Sequence, residues 1–543
     1  MSASAEAFGE EPVVPAPPDG GGTGGGIARN TAIFSFLTGL SRVVGLLREI
    51  VFAGYFGTTG FASAYAIAYQ VPNYIAQLFA QSALSAAFVP VFTDLLQKGH
   101  RKDAVRLAST LFWIMLIGLG AITAVFILAA GIVMPLFIGP KLVPQTALTV
   151  GLSRVLFPVI LLLGLNGLLV GVLQSYDHFT IPALSPAVWN IVIIVLLVLL
   201  APHFHGEHEI YAFAIAILAA TVVQMLMAFA ALGRIDFRLR VHIDWHDPRI
   251  RQVFALMLPV MLGLGIVNLD QLINAAFGSL VSAEAPSAIN NAFRIYMLPQ
   301  GVFSVAVATV LFPALSRMAS RRDPAAMRRA VGSGMRQINL LLIPAAAFML
   351  VLATPIVRLV FQRGAFNAES THLVSIALFW FAFSLPFGGL NLLLTRSFFA
   401  VQRPWIPTSL AAMNIVVDII VSIALYKPLG IAGLIIGTIT ANIVMTALQF
   451  HRLRAGLNGR LEGAHTTMIT TRILIASALL AGVSWGVWRL LDDLLGASLP
   501  AQIVSVGGAA AVGLAVYVRA VLIMRIPEAH QVSGMIRARL GRA

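Results

Sequence analysis

The sequence predicts an all-α polytopic membrane protein with about 14 transmembrane helices: two six-helix lobes related by a pseudo-twofold axis, plus two C-terminal helices. Three observations predict it. Of 543 residues, 59% are hydrophobic and 11% charged, where an average soluble domain carries about 25% charged residues. So long a chain with so little charge cannot cover a soluble surface and takes lipid as its solvent. Apolar stretches of the ~20 residues that a spanning helix needs recur along nearly the whole chain, and basic residues gather in alternate loops.

The elements follow in order. Residues 1–28 are rich in Ala, Glu and Pro and end in the run Asp19-Gly-Gly-Gly-Thr-Gly-Gly-Gly26, a composition expected of a flexible tail. They lack the basic start and apolar run of a signal peptide. The glycines follow no predicted strand, so they are not a phosphate loop. Residues 29–240 form the first lobe, with spans expected near 30–57, 62–92, 104–137, 146–173, 181–201 and 210–232. Residues 241–460 form the second, with spans near 252–281, 287–316, 330–361, 371–400, 405–426 and 430–450. Residues 461–524 add spans near 469–490 and 499–521, and 525–543 form a C-terminal tail.

Basic clusters fix the orientation. Lys98, Arg101, Lys102 and Arg106 share one loop, Arg234, Arg238, Arg240, Arg249 and Arg251 another, and Arg317, Arg321, Arg322, Arg328 and Arg329 a third. Arg403, the group Arg452, Arg454, Arg460 and Arg472, and the C-terminal arginines continue the pattern. The intervening loops hold only Lys141, Arg363, Lys427 and Arg489. All basic loops fall on one side, so a bacterial inner-membrane location with both termini cytoplasmic is expected. The net charge of +14 is thereby a topology signal, and no nucleic-acid partner is expected.

The chain also repeats itself. Val71-Pro72, Phe88-Val-Pro90, Phe179-Thr-Ile-Pro182 and Trp189-Asn190 recur as Leu298-Pro299, Leu311-Phe-Pro313, Pro404-Trp-Ile-Pro407 and Met413-Asn414, each about 225 residues later. Each half has an even number of spans, so this is a parallel repeat about an axis along the membrane normal, which places a binding site between the halves.

Charge within the spans is the functional signal. Arg42, Arg48, Arg154, Arg294, Arg336, Arg358 and Arg396 fall inside spans or near their ends, and a central Arg costs roughly 2.5–3.5 kcal/mol on insertion scales. Arg42 and Arg48 lie about 240° apart on span 1, with glycines that allow a bend, and Glu49 shares the face of Arg42. Arg294 opens span 8 beside Asn290 and Asn291. Three arginines at a central cavity suit a diphosphate, because the guanidinium fork gives paired charge-assisted bonds. The alternative is structural pairing, Arg48 with Glu49 or Arg294 with Asp270. For Arg336, Arg358 and Arg396 snorkelling or structural pairing is expected. A second group is oxygen-rich: Asp270 among Asn268, Gln271 and Asn274; Asn414 and Asp418 on one face of span 11; Thr438 and Thr440 on span 12. It suits a hard cation such as Na+, or else interhelical hydrogen bonding or a proton-bearing pair of acids.

Other classes are excluded or weak. There is no cysteine, so no thiolate chemistry. His203-Phe-His205-Gly-Glu207-His208 reads as a solvated external loop rather than a metal site. Gly167-x-x-x-Gly171 and Gly433-x-x-x-Gly437 read as helix-packing surfaces. No metalloprotease, hydrolase or ATP-binding motif is present, so no cofactor beyond a coupling cation and no enzymatic activity are expected. A membrane glycosyltransferase would need a paired carboxylate at a large external loop, and Glu207, Glu284 and Glu369 have none.

The stretch Ser41-Arg-Val-Val-Gly-Leu-Leu-Arg-Glu49, Val71-Pro-Asn73, Ala86-Ala-Phe-Val-Pro90, Phe179-x-x-Pro182-Ala-x-x-Pro186 and Gly301-Val-Phe-Ser-Val-Ala-Val-Ala-Thr-Val-Leu-Phe-Pro313 together resemble the MurJ/MviN family of lipid II flippases. The match runs from about residue 30 to 460. The resemblance implies a transporter of the multidrug/oligosaccharidyl-lipid/polysaccharide exporter superfamily, whose substrate is lipid II or a related polyprenyl-diphosphate glycan and whose surroundings are membrane lipids. It implies a diphosphate site at Arg42, Arg48 and Arg294, and a sodium site at Asn414 and Asp418 with Asp270 and Thr438 or Thr440. Where many members carry an Arg and a Glu along span 2, this chain has Gln77 and Gln81; where an acid is common it has Ser63; and Phe293 stands where an Asp commonly precedes the span 8 arginine. Another glycan lipid, or cation-coupled drug antiport, is the alternative.

Overall fold

The computed structural model describes residues 24–80, 83–176, 178–235, 237–321, 323–457 and 462–529. These residues are helical almost throughout and include no strand. The first lobe comprises α1 (Gly24–Phe56), α2 (Gly60–Ala80), α3 (Ala83–Gln97), α4 (Arg101–Val133), α5 (Thr146–Leu156), α6 (Pro158–Ser175), α7 (Thr180–Leu200) and α8 (Ile210–Arg234). The second comprises α9 (Pro248–Val281), α10 (Ala285–Pro299), α11 (Val305–Ser320), α12 (Pro324–Val351), α13 (Ala353–Phe361), α14 (Ala368–Ala400), α15 (Trp405–Leu429) and α16 (Ile431–Gly456). The pair α17 (Gly463–Leu495) and α18 (Leu499–Ile523) completes the chain. Helix α1 begins at Gly24, inside the segment expected to be tail.

Each expected span coincides with one helix or a consecutive pair. The pairs are α2–α3, α5–α6, α10–α11 and α12–α13. Among the described residues, eleven spans are long and apolar enough to cross a membrane on length and composition. The other three coincide with α1, α2–α3 and α9. For the breaks between α5 and α6 and between α10 and α11 the sequence gives the reason. Pro158 has no amide hydrogen and restarts the helix at α6. Between α10 and α11, Gln300–Ser304 form one wide π turn just after Pro299.

Helix starts are set by capping side chains. Asp247, Asp323, Asn367 and Ser498 accept hydrogen bonds from the backbone N–H of Arg249, Ala326, Ser370 and Ala501. In three of the four a proline occupies the first turn, where its missing donor costs nothing.

Four apolar clusters hold the helices together. Two lie in the first lobe, one around Phe88, Phe92, Phe157 and Leu169 and one around Phe52, Phe56, Leu152 and Phe213. The second lobe has one large cluster around Tyr296, Ile338, Phe361, Phe381 and Leu393. A small fourth cluster, including Leu340, Ile473, Tyr517 and Val521, docks α17–α18 onto α12. Helix α9, which the repeat assigns to the second lobe, buries Val253, Met257, Leu272 and Ala275 in the first lobe's core. It packs on α15 as well, so it bridges the lobes.

The lobes also meet at the ends of their helices on the side expected to be external. Ala365 N donates to Gly54 O at 2.8 Å, and Thr58 Oγ1 donates to Ser370 Oγ at 2.8 Å. Gly57 and Gly364 both adopt positive φ there, +57° and +56°. A Cβ on Gly57 would stand 2.6 Å from the Ala365 carbonyl oxygen, so only glycine allows this approach. Gly139 N to Ser279 Oγ (2.6 Å) and Ser287 N to Ser63 Oγ (3.2 Å) extend the seam.

Candidate diphosphate and cation sites

Helices α1, α2 and α10 line a small, partly open cavity between the lobes, walled by Glu49, Tyr65, Tyr69, Asn290, Asn291 and Arg294 among others. Glu49 lies at its centre of charge. It pairs with Arg48 on its own helix, and its Oε1 stands 3.6 Å from Arg294 Nε across the lobe boundary. Arg294 Nε also donates to Asn290 Oδ1, one turn earlier, at 3.2 Å. Arg48 lies over the Trp189 ring at 4.9 Å, a cation–π contact that is stronger away from water. Trp189 is itself fixed by donating from Nε1 to Thr221 Oγ1 at 3.0 Å. Tyr65 and Tyr69 stack along the wall with centroids 5.7 Å apart.

Two cations and one anion leave this cluster with a formal charge of +1. Arg48 and Glu49 are nearly closed off, with side chains 11% and 12% exposed, while that of Arg294 is 40% exposed. Asn291 Nδ2 is buried and has no partner among the described residues. Arg294 and Asn291 are thus the donors at this cavity not fully taken up by the protein, and Glu49 orients both arginines.

The structure brings Arg48 and Arg294 together as expected, but not Arg42. Arg42 is exposed and its guanidinium lies against Gly301, where a Cβ would stand 2.9 Å from Nη1. Helices α1 and α10–α11 run antiparallel, so Arg42 meets their contact line seven residues away from Arg294, about two turns. Glu49 does not work with Arg42, as their shared face suggested; it bridges Arg48 and Arg294. Trp189 and the tyrosines had no signal as site residues. The expected alternative of Arg294 with Asp270 concerns a side chain outside the described residues, as do Gln77 and Gln81. Phe293 packs against Tyr296 and Phe381.

The oxygen-rich group assembles in part. Asp418 is buried, 1% exposed. It accepts from Ser422 Oγ at 3.2 Å and from Thr438 Oγ1 at 3.4 Å. Asn274 Nδ2 reaches Thr438 Oγ1 at 3.4 Å, bringing α9 into the group. Gly437 lets α16 close on α15, since a Cβ there would stand 2.6 Å from Asp418 Oδ1. The Gly433/Gly437 packing surface is thus part of this site. Asn414 Nδ2 is buried without a partner among the described residues; turning the amide over would put a carbonyl oxygen there instead. Among the described residues Thr440 makes no hydrogen bond to Asp418, Thr438 or Asn274 and donates to Ile436 O on its own helix at 2.8 Å. Ser422, which the sequence reading passed over, takes its place. A carboxylate, two hydroxyls and an amide form a donor set that fits a hard cation.

The remaining arginines within spans have structural partners or open surroundings. Arg336 pairs with Glu462 at 2.8 Å and with Glu528. Arg358 pairs with Asp492 at 3.0 Å. Arg396 lies over Phe312 at 5.7 Å, and Arg154 is exposed. Among the described residues no three His, Asp or Glu side chains cluster as a metal site, the histidine-rich loop included.

The chain's relatives agree with this architecture. A protein named lipid II flippase MurJ from Burkholderia cenocepacia is 30% identical over 435 residues, covering 77% of this chain and 82% of that one. A probable lipid II flippase MurJ from Rhizobium meliloti is 29% identical over 498 residues, covering 88% and 90%. Among solved structures, a lipid II flippase MurJ in an inward closed conformation superposes with a TM-score of 0.73 at 21% identity, covering 90% of this chain and all of that one. An inward-facing multidrug transporter of the MATE family superposes with a TM-score of 0.63 at 16% identity, covering 77% and 94%. These two likenesses establish the fold. The sequence model of the family described as lipid II flippase MurJ matches residues 52–504, and the chain belongs to that family.

Proposed function

We propose that this protein is a lipid II flippase of the bacterial inner membrane. It carries the polyprenyl-diphosphate-linked peptidoglycan precursor outward by alternating access and performs no covalent chemistry. The observation that carries the reading is the Arg48–Glu49–Arg294 cluster at the cavity between the lobes. It is cationic overall, and its most open member is the fork-shaped donor that suits a diphosphate. The names of the relatives support the same substrate.

In this reading the diphosphate enters from the cytoplasmic side, because the Gly57–Ala365 seam closes the other. It displaces Glu49 from Arg294 and takes donors from Arg294 and Asn291. Arg48, held over Trp189, keeps a positive field at the base of the cavity. Opening the seam then releases the headgroup externally while the polyprenyl tail stays in lipid. Asp418, Thr438, Ser422 and Asn414 would hold a sodium ion, which supplies the coupling gradient. The termini are read as cytoplasmic from the basic loops.

The test is complementation in bacteria whose own lipid II flippase can be depleted, with wild type, Arg294→Ala and Arg42→Ala in parallel. Rescue by wild type and loss of rescue in a well-expressed Arg294→Ala is expected. The structure adds that Arg42→Ala should retain part of the function. Full rescue by Arg294→Ala would overturn the assignment of the site. Failure of a well-expressed wild type, against a compatible relative as control, would redirect the substrate to another polyprenyl-diphosphate glycan.

A further inference from the structure

A row of polar side chains runs through the second lobe between α14 and α16. On α16, Thr438, Asn442, Thr446 and Gln449 fall within about 80° of arc and span about 16 Å of helix. On α14, Ser384, Asn391 and Thr395 share one face. The two rows bond to each other. Asn442 Nδ2 donates to Ser384 Oγ at 2.9 Å, and Asn391 Nδ2 to Asn442 Oδ1 at 3.0 Å. Thr446 Oγ1 donates to Asn391 Oδ1 at 2.8 Å, and Gln449 Nε2 to Thr395 Oγ1 at 3.0 Å. One end is Thr438 beside Asp418, midway along α15. The other is Gln449, two turns before the cytoplasmic end of α16.

We infer that this row is a hydrated passage by which water and a small cation reach Asp418 from the cytoplasmic face; it rests on the cation reading of Asp418 given above. Interhelical bonding alone accounts poorly for it. Each such bond within a membrane adds little, because the separated helices also find partners. The hydrogen bonding is also incomplete at both ends. Gln449 is fully buried and its Oε1 has no partner among the described residues, and Asn414 Nδ2 is likewise orphaned beside Asp418. Buried polar atoms in lipid-embedded protein require partners, and water in a polar passage supplies them. Asp418 is 1% exposed and Gln449 0%, so the row is closed at both ends in this arrangement and fills only when it opens.

The chain has no cysteine, so single cysteines report without background. Thr446→Cys and, as a lipid-facing control, Ile420→Cys (Ile420 is 62% exposed) are placed in the full-length protein in inside-out membrane vesicles. A small cationic thiosulfonate is added from the cytoplasmic face. Labelling of Thr446→Cys at least tenfold faster than Ile420→Cys is expected, slowed severalfold by sodium but not by choline. Sodium should lose that effect in Asp418→Asn. Labelling no faster than the lipid-facing control, in protein that melts like wild type, would overturn the passage. A sodium-dependent melting shift that survives in that protein would leave the cation site standing. Fast labelling unaffected by sodium in any variant would keep the passage and remove sodium as its ion, so the two readings fail separately. Asn391→Leu, which blocks the row midway, should slow labelling at Asp418→Cys without slowing it at Gln449→Cys.

Discussion

The seam between Gly57 and Ala365 is where a single methyl group should shift the balance between the two lobe arrangements. Gly57→Ala has two costs. Holding a residue with a Cβ at φ +57° costs about 1–2 kcal/mol and applies in every state that keeps this turn. The second cost exists only while the seam is closed. The new Cβ, 2.6 Å from the Ala365 oxygen, must push the loop away, and the Ala365–Gly54 and Thr58–Ser370 hydrogen bonds at 2.8 Å go with it. At about 0.5–1.5 kcal/mol each, the closed arrangement loses about 1–3 kcal/mol, a shift of about 5–150-fold. The assay places Ala66→Cys in the cavity wall and measures its labelling by an impermeant thiol reagent from the external face. Gly57→Ala should raise that rate by about an order of magnitude or more. Gly496→Ala is the control, because Gly496 has φ +77° and open space around its Cβ position. It carries the backbone cost without touching the seam, so it should lower the melting temperature and leave labelling unchanged. Equal labelling in folded Gly57→Ala and wild type would refute the claim that this contact holds the external side shut.

The remaining predictions concern the charged groups. Arg336→Met alone should destabilise the docking of α17–α18 by about 3–5 kcal/mol, because it leaves the buried Glu528 carboxylate unpaired; Glu528→Gln, which leaves Arg336 its pair with Glu462, should cost less, and the double substitution should recover part of the loss, measured as melting of purified protein with proteolysis of the C-terminal pair. Glu49→Gln frees Arg294 and should tighten binding of a soluble polyprenyl-diphosphate analogue while slowing transport, read as opposite changes in affinity and turnover. Trp189→Leu removes the surface over which Arg48 is held, worth about 0.5–2 kcal/mol, and should weaken the same binding up to about 30-fold. Asp418→Asn should abolish any sodium-dependent rise in melting temperature, whereas Thr440→Val should leave it intact.

The spans were legible because hydropathy is a local property. The interruptions were partly legible: Pro158 and Pro299-Gln-Gly301 carry helix-breaking chemistry, yet neither tells whether a span will kink, widen or restart. In the site, Arg48 and Arg294 announced themselves as charges in apolar helices. Arg42 did so equally, but its position along the α1–α10 contact depends on which rung of an antiparallel pair it meets. Spacing by seven places Glu49 on the face of Arg42, but the pair that forms is the expected alternative, Arg48 with Glu49. The long guanidinium arm of its sequence neighbour, lying over Trp189, brings Arg48 to it instead. Thr440 lost its role to a common competitor, its own i−4 carbonyl, and Ser422, four residues after Asp418, was readable by the spacing that linked Asn414 to Asp418. The Arg336 partners, Glu462 and Glu528, are 126 and 192 residues away, and no local pattern joins them.

The contacts differ in kind within and between the moving parts, and the difference bears on transport. Helices α17 and α18 are tied to the second lobe at both ends. Near one end lie the Arg336 pairs with Glu462 and Glu528, and the bond from Tyr517 OH to Leu340 O; at the other lies Arg358 with Asp492. The Arg336–Glu528 pair is buried and costly to separate once formed, so these ties favour the C-terminal pair staying docked on the second lobe. Between the lobes, by contrast, the external seam is made of neutral hydrogen bonds and backbone approaches at Gly57, Gly364 and Gly139. Each bond there contributes about 1 kcal/mol, and breaking one exposes groups that water can satisfy. The charged element at the lobe boundary is Glu49 with Arg294, and a diphosphate competes for that same guanidinium. On the proposed reading, substrate binding would weaken a cross-lobe contact as it forms its own. A change of a few kcal/mol at this boundary is enough to invert the population of two states that are otherwise nearly balanced. A diphosphate bound at this cluster, as proposed above, would thus act where the lobes are held to each other.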